Sequence, residues 1–208
     1  MLKNYEKTNL GVIKQINVKK IKKYDKDYVD NSYNNYGEKV SNISHLRLGY
    51  LLGVIKEKIT SIIDVGYGNG NFLNVCKTYI DNCYGNDISG YKIPEGCEFV
   101  ENILEKNYDV VCFFDSLEHM EDIDFISKLK TKYIYISLPN CHYFSDEWFE
   151  TWKHRREDEH LWHFNENSLC EFMLSHNYEK IDISNIEDIV RIPYDKYNNI
   201  LTGIFKKI

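Results

Sequence analysis

Residues 61–73 read SIIDVGYGNGNFL, a short β-branched run that ends in three glycines and continues as a helical pattern. The glycines are Gly66, Gly68 and Gly70, and the helix is predicted over 71–79. Glycine tolerates positive φ angles and lets a ligand lie against bare backbone where a helix starts. The stretch therefore predicts a strand, a ligand-binding glycine loop and a helix in direct succession.

A second strand, predicted over 83–87, ends at Asp87. A carboxylate at the end of the strand that follows a glycine loop can accept hydrogen bonds from both hydroxyls of a ribose. A glycine loop alone is also a common ordinary turn. The strand before it, the helix after it and the acid on the next strand together favour a nucleoside-containing ligand.

The rest of the chain alternates between helix-like and strand-like segments. Helical patterns cover 41–59, 71–79, 122–129 and 167–176. Strand patterns cover 61–65, 83–87, 98–100, 108–114, 133–138, 180–183 and 200–205. Such alternation predicts an open, mostly parallel α/β sheet with helices on both faces. We expect one domain over 1–208, with an irregular N-terminal extension at 1–40 and a core at 41–208. Tyr28, Tyr33 and Tyr36 make the extension a candidate lid over the cofactor.

The composition is that of an acidic globular protein, with 208 residues, a net charge of −6 and 43% hydrophobic residues. No apolar run is long enough to cross a membrane, and the first residues lack the apolar core of a signal peptide. The acidic body argues against a dedicated duplex-DNA binder. Six cysteines without a C-x-x-C pair are typical of free thiols, which predicts a cytoplasmic protein.

Five motifs, in order along the chain, resemble those of the class I S-adenosylmethionine-dependent methyltransferases. They read DVGYGNGNFL, YGNDIS, YDVVCFFDSLEHM, YIYISLPN and EHLWHFNENSLCEFMLSHNYEKI. The third contains the D-x-L-E-H pattern that is common in the small-molecule branch of that superfamily. The resemblance implies a Rossmann-like seven-stranded sheet of order 3-2-1-4-5-7-6 with the last strand antiparallel. It also implies S-adenosylmethionine as methyl donor and S-adenosylhomocysteine as product.

The resemblance assigns the cofactor contacts to residues within these motifs. Asp64 would support the glycine loop and reach the methionine amino group, and Asp87 would accept the ribose hydroxyls. Ile88 would pack on adenine, and Asn102 would accept a hydrogen bond from its amino group. The full set is Asp64, Gly66, Tyr67, Gly68, Asn69, Gly70, Asp87, Ile88, Asn102, Asp115 and Ser116. The sequence departs from the family pattern at Tyr67, where a small residue or cysteine is usual, and at 101–102, where Glu-Asn replaces Gly-Asp.

The acceptor side is predicted from the segment 141–164, which contains three tryptophans, four histidines and two adjacent arginines. It is either an aromatic insert that covers the sheet or a wall of the acceptor pocket. An acceptor that must lose a proton needs a base, and the candidates are His163, His119 and Glu118. The candidate substrate contacts are His160, Arg155 and Trp162. The histidines lack tight ligand pairs such as H-x3-H, so the sequence predicts no metal site.

These patterns favour methyl transfer to a small-molecule or sugar-like acceptor, at oxygen or nitrogen. Two alternatives stay open: methylation of a macromolecule, and a noncatalytic S-adenosylmethionine-binding or regulatory subunit with the same fold. Residues 115–118 read Asp-Ser-Leu-Glu, without the Pro-Pro of the DNA amino-methyltransferase motif, which argues against that chemistry. A small molecule is the expected partner, a membrane is not, and no pattern bears on the oligomeric state.

Overall fold

A computed structural model describes residues 2–19, 38–193 and 196–208, with the side chains of 38–41 left out. The elements are β1 (Tyr5–Lys7), β2 (Ile13–Gln15), α1 (Glu38–Ile55), β3 (Ser61–Val65), α2 (Asn71–Cys76), β4 (Asn82–Asn86), β5 (Glu98–Phe99), β6 (Tyr108–Phe114), β7 (Thr131–Pro139), α3 (Asp146–Thr151), β8 (Trp162–His163), α4 (Glu166–Ser175), β9 (Tyr178–Ser184) and β10 (Ile200–Lys207). Short 3-10 helices lie at Leu117–His119, Asp124–Lys128 and Ile186–Ile189.

The main sheet has seven strands in the order β5-β4-β3-β6-β7-β10-β9. When the strands of this sheet alone are numbered along the chain from β3, this is the order 3-2-1-4-5-7-6. The strands from β5 to β7 pair in parallel, and β10 is antiparallel to both of its neighbours. The predicted fold class is therefore confirmed.

Strand β6 shows why the sheet is covered on both faces, since all seven of its residues are buried. A strand buried on both faces has a continuous apolar run, as in YDVVCFF. Val110 and Cys112 pack on the face that carries α1 and α2, with Leu51 and Phe72. The alternate residues of β6 pack on the opposite face with Ile126 and with side chains of α4, among them Leu169 and Phe172. The period-2 alternation of the strand thus divides the core into two layers.

The N-terminal residues form a second, smaller sheet, in which β2 pairs with both β1 and β8. The expectation of an irregular segment is wrong at β1 and β2. Each strand has three residues, too few for alternation to stand out from the sequence, and the partner strand β8 lies far along the chain. The tyrosines that suggested a lid, Tyr28, Tyr33 and Tyr36, lie outside the described residues.

Three predicted helices differ from expectation, and the one predicted over 41–59 runs over Glu38–Ile55. The helix predicted over 71–79 ends at Cys76, and the chain turns where Thr78 Oγ1 donates to the Val75 carbonyl at 2.7 Å. The segment predicted as a helix over 122–129 forms a 3-10 helix at Asp124–Lys128. None of these changes alters the order of the strands.

The ring of Tyr67 fills space inside the sheet layer and is 4% exposed. Its hydroxyl donates to the Tyr91 carbonyl at 2.6 Å. A Cβ placed on Gly85 of β4 would lie 2.6 Å from Tyr67 Cδ1 and 3.0 Å from Leu73 Cδ1. Glycine at position 85 therefore makes room for the tyrosine in the loop.

We expect Gly85→Ala to lower the free energy of unfolding by about 1–3 kcal/mol, as overpacking of a core does. Gly53→Ala is the matched control on α1, because a Cβ there meets nothing within 4 Å. It should raise the free energy of unfolding by about 0.5–1 kcal/mol, since alanine is the better helix former. Urea unfolding of both variants measures the difference, and an unchanged stability of Gly85→Ala would contradict this packing.

Candidate functional site

The glycine loop connects the carboxyl end of β3 to α2. Gly66, Gly68 and Gly70 have φ angles of 86°, 54° and 76°. A Cβ on Gly66 would lie 2.7 Å from Ser116 Cβ, and a Cβ on Gly70 would lie 2.4 Å from Pro94 Cγ. Both the left-handed backbone and the close neighbours therefore require glycine, and the loop presents backbone at its surface.

Asp87 follows β4 and contacts the glycine loop directly. Its carboxylate accepts a hydrogen bond from Gly68 N at 2.8 Å and another from Ser89 N at 2.6 Å. Gly66 N donates to the Asn86 carbonyl at 2.7 Å, which holds the loop against the end of β4. The structure thus brings together the loop and the acid that the sequence predicts to share one ligand.

Asp64 lies on β3 beneath the loop and is 3% exposed. Its Oδ1 is buried and has no hydrogen-bond partner among the described residues. Burial raises the pKa of Asp64 to about 7, with Arg47 opposing the rise and Asp87 adding to it. A positively charged group from a ligand would satisfy this oxygen and keep the carboxylate ionised.

The remaining predicted cofactor residues differ in how their side chains are placed. Tyr67 points into the core, so only its backbone belongs to the loop. Asn69 Oδ1 accepts from Asn71 N at 3.2 Å, and Ile88 is 81% exposed. The exposed Asn102 accepts from Leu104 N at 3.1 Å, which closes a local turn. Its amide also donates to Glu105 Oε1 at 3.0 Å, so both ends of the Asn102 side chain already have protein partners.

Asp115 directly follows β6, has a φ of 51° and belongs to a cluster of four charged side chains. Arg191 Nη1 lies 3.0 and 2.8 Å from the two carboxylate oxygens of Asp115, and Arg47 Nη2 lies 3.4 Å from one of them. The fully buried Glu187 accepts from Arg47 at 2.7 and 2.9 Å and from Arg191 at 3.2 Å. We call Arg47, Asp115, Glu187 and Arg191 the charge quartet.

The charge quartet is electrically balanced. Burial opposes ionisation of Asp115 and Glu187, but Arg191 and Arg47 hold the pKa of both carboxyls below the ordinary range. Asp115 keeps the most exposed side chain of the four, at 37%. It is therefore the member that faces outward at the carboxyl end of the sheet.

Sequence reasoning missed three members of the quartet. Arg47 lies on α1, and Glu187 and Arg191 lie in the connection after β9, so no local motif joins them to Asp115. The one usable signal is the single arginine within the apolar helical pattern ISHLRLGYLL.

Glu118, His119 and His160 converge next to Asp115. Glu118 is 1% exposed and His160 4%, and the rings of the two histidines are 4.6 Å apart between centroids. Burial raises the pKa of Glu118 well above its ordinary value, and nearby Asp115 raises it further. Burial lowers the pKa of both histidines, so their rings are neutral at pH 7.

The other predicted acceptor-side residues pack against protein groups. His163 is 3% exposed, between the rings of Tyr5 at 5.6 Å and Phe149 at 5.0 Å. The Arg155 guanidinium lies over the Tyr5 ring at 5.1 Å. Trp162 Nε1 donates to the Met120 carbonyl at 2.7 Å. The His163 ring nevertheless lies near the group formed by Glu118, His119 and His160, with its centroid 6.4 Å from that of His160.

A family model described as "Methyltransferase domain" matches residues 36–183. No curated protein matches the chain by sequence. Among the described residues, no helix is long and apolar enough to cross a membrane.

Solved structures of methyltransferases share the fold. A chain of the complex between the Haloferax volcanii Trm112 methyltransferase activator and a methyltransferase has 11% identity and a TM-score of 0.63, covering 90% of this chain and 99% of that chain. Magnesium protoporphyrin IX methyltransferase from Synechocystis PCC 6803, with bound S-adenosylhomocysteine, has 12% identity and a TM-score of 0.59. The match covers 88% of this chain and 97% of that chain. The plantazolicin methyltransferase BpumL, in complex with a desmethyl analogue and S-adenosylhomocysteine, has 16% identity and a TM-score of 0.57. The match covers 87% of this chain and 90% of that chain.

We expect Glu187→Ala to lower the free energy of unfolding by about 3–5 kcal/mol, because two buried guanidinium groups would then share one carboxylate. The control is Asp81→Ala, which removes an exposed ion pair with Lys58 and should change stability little. Urea unfolding at pH 7 measures both. Equal stabilities of the two variants would show that the quartet does not hold the fold together.

We also expect the imidazoles of His154 and His163 to stay neutral at pH 5. Burial lowers their pKa values to about 4 and about 3, respectively. Since the unfolded chain has a histidine pKa near 6.5, the stability that these two rings contribute is complete above about pH 6.5 and is lost as the pH falls towards 4. A histidine-selective NMR titration measures the pKa values, and a midpoint near 6.5 for either ring would contradict this burial.

Proposed function

Because the chain belongs to the methyltransferase-domain family, we propose that it transfers a methyl group from S-adenosylmethionine to a small-molecule or sugar-like acceptor, at oxygen or nitrogen. The observation that carries this proposal is the hydrogen bond from Gly68 N to the carboxylate of Asp87. It joins the acid at the end of β4 to a loop whose three glycines have positive φ angles. That arrangement supplies an acceptor for ribose hydroxyls beside open backbone.

The donor site fits the cofactor in two further ways. The unpartnered Oδ1 of Asp64 suits the amino group of the methionine moiety. Ile88 is exposed next to Asp87, where an apolar side chain suits the adenine ring. We keep Asn102 as the proposed adenine contact, with its Oδ1 accepting from the adenine amino group in addition to Leu104 N. When bound, S-adenosylmethionine supplies an electrophilic methyl group, and the protein positions the acceptor beside it.

The acceptor site is proposed at the carboxyl end of β6, bordering Asp115 and Ser116, which remain proposed contacts of the cofactor. Ser116 lies against Gly66, and its Oγ is buried without a partner among the described residues. Asp115 faces outward from the charge quartet next to it. We assign removal of the acceptor's proton to the group formed by Glu118, His119 and His160, because neutral imidazoles suit that step near pH 7.

Three residues of the segment 141–164 that the sequence predicts to contact the acceptor are proposed to have a structural role instead. Arg155, Trp162 and His163 contact Tyr5, Met120 and the surrounding rings, and the buried Nε2 of His163 has no hydrogen-bond partner among the described residues. They shape the wall of the acceptor site, whereas His160 reaches its interior. This replaces His163 with the Glu118 group as the proposed proton acceptor.

The similar structures support a small acceptor, since two of them are methyltransferases named for single compounds, magnesium protoporphyrin IX and plantazolicin. The neighbour that is bound to an activator keeps open the alternative of a partner-dependent enzyme or a macromolecular acceptor. A cytoplasmic location is part of the proposal and is supported by six free cysteines.

We expect Asp87→Ala to weaken S-adenosylmethionine binding about 10- to 150-fold, the loss of roughly 1.5–3 kcal/mol for a charged hydrogen-bond acceptor. Asp87→Asn should have a smaller effect, because one acceptor oxygen remains. Asp81→Ala is the matched control, since Asp81 directly precedes the same strand at its opposite end. Calorimetric titration with S-adenosylmethionine and with S-adenosylhomocysteine measures the affinities.

Thermal unfolding of each variant checks that the loop still folds, because Asp87 also binds Gly68 and Ser89. Unchanged affinity of Asp87→Ala would remove Asp87 from the donor site. No measurable affinity of the natural chain for either compound would refute the proposed function as a whole.

A further inference from the structure

Glu118, His119 and His160 lie close enough to share one ligand. Each offers one ligand atom, a carboxylate oxygen or an imidazole nitrogen, and the three atoms lie within 4.8 Å of one another. Both carboxylate oxygens of Glu118 are buried and have no hydrogen-bond partner among the described residues. A buried acid without a partner is costly, so a ligand that satisfies it would be strongly favoured.

The two imidazole rings are already oriented by the backbone. His119 Nδ1 lies 2.8 Å from the Glu159 carbonyl, and His160 Nδ1 lies 2.8 Å from the His154 carbonyl. Because a carbonyl oxygen only accepts, the proton of each neutral ring is placed on Nδ1, and Nε2 keeps its lone pair. Histidines that bind metals are usually held in this way, by a hydrogen bond from the other ring nitrogen.

The two segments that carry these residues are joined without any ligand. Leu161 N donates to the Glu118 carbonyl at 2.7 Å, and Trp162 Nε1 donates to the Met120 carbonyl at 2.7 Å. These bonds fix the turn at 117–119 against the loop at 154–161. The three side chains are therefore brought together before a ligand binds.

We propose that Glu118, His119 and His160 bind a divalent first-row transition-metal ion. Two imidazoles and one carboxylate are the donor set of many catalytic zinc sites and of 2-His-1-carboxylate iron sites, and they leave coordination positions open. The competing interpretation is a protonated Glu118. It leaves an O–H group without an acceptor among the described residues, whereas a cation satisfies the carboxylate.

The position of the ion also suggests the class of acceptor, and this step rests on the proposed function. The site follows β6 at its carboxyl end, beside Asp115 and Ser116. With the ion bound, the Glu118 group would act through the ion and would not take the proton itself. When a hydroxyl is methylated, its O–H bond breaks and the proton passes to solvent. The O–CH3 bond forms as the S–CH3 bond of the sulfonium donor breaks and leaves a neutral thioether. A cation beside the oxygen favours its deprotonated form, so the ion points to a hydroxyl acceptor.

Zinc ion alone is the probe for the site. The full-length chain, treated with chelator and dialysed, is titrated calorimetrically with Zn²⁺ at pH 7.5, without methyl donor or acceptor. We expect one ion per chain, and we expect Glu118→Gln and His160→Gln to weaken binding by about 100-fold or more, since loss of an orienting partner alone costs about 10–100-fold. His176→Gln, on a histidine outside the cluster, is the matched control and should bind as the natural chain does.

A second measurement uses the natural chain and does not depend on whether a variant folds. Long-range ¹H–¹⁵N spectra should show Zn²⁺ shifting Nε2 of His119 and His160 while Nδ1 stays protonated. The signals of His45, His142 and His176 should not move. Absence of binding below about 1 mM, unchanged affinity in both variants, or shifts confined to other histidines would each overturn the site. Because the titration needs no donor, such a failure would leave the Asp87 test of the proposed function untouched.

Discussion

The charge quartet is the interaction on which the functional end of the fold depends. It joins a helix on one face, the end of the central strand and the connection that leads into the antiparallel strand β10, which are distant in the sequence. Removing four charges from water is costly, and the cost is offset only when all four partners are present with good geometry. The arrangement therefore fixes where β6 ends and where Asp115 faces outward, and the glycine loop and the Glu118 group are both built around that point.

The main sheet was predictable because each of its strands is indicated by a motif within its own segment of the sequence. The apolar run of β6, the glycines after β3 and the acid after β4 each determine the structure of their own segment, and parallel alternation then permits few topologies. The N-terminal hairpin was not predictable in the same way. Its two strands have three residues each, and their pairing with β8 stabilises them only after the chain has folded.

The same distinction applies to the candidate site, where local motifs predict the donor side and do not predict the acceptor side. The donor-side residues Asp64 and Asp87 belong to motifs in which spacing alone brings strand ends together, so the sequence placed them near one another. The acceptor side is assembled from a turn after β6 and a loop before β8, which meet only in three dimensions. The spacing of the histidines in 141–164 consequently gave no sign that His160 lies against His119. The aromatic residues of the same segment pack largely on one another, with Tyr5 among their neighbours.

The contact between Tyr67 and Gly85 has an evolutionary consequence. In a chain with a small residue at position 67, the closest contact of a Cβ at position 85 is gone, and a larger residue on β4 then meets only the flexible ends of Leu73 and Ile93. In this chain the tyrosine occupies the space above Gly85 from the loop, so substitution at either position alone creates a cavity or a clash. The two positions should therefore change together across the lineage, with tyrosine at 67 accompanied by glycine at 85. The unusual residue in the glycine loop is then one half of a sterically compensated pair.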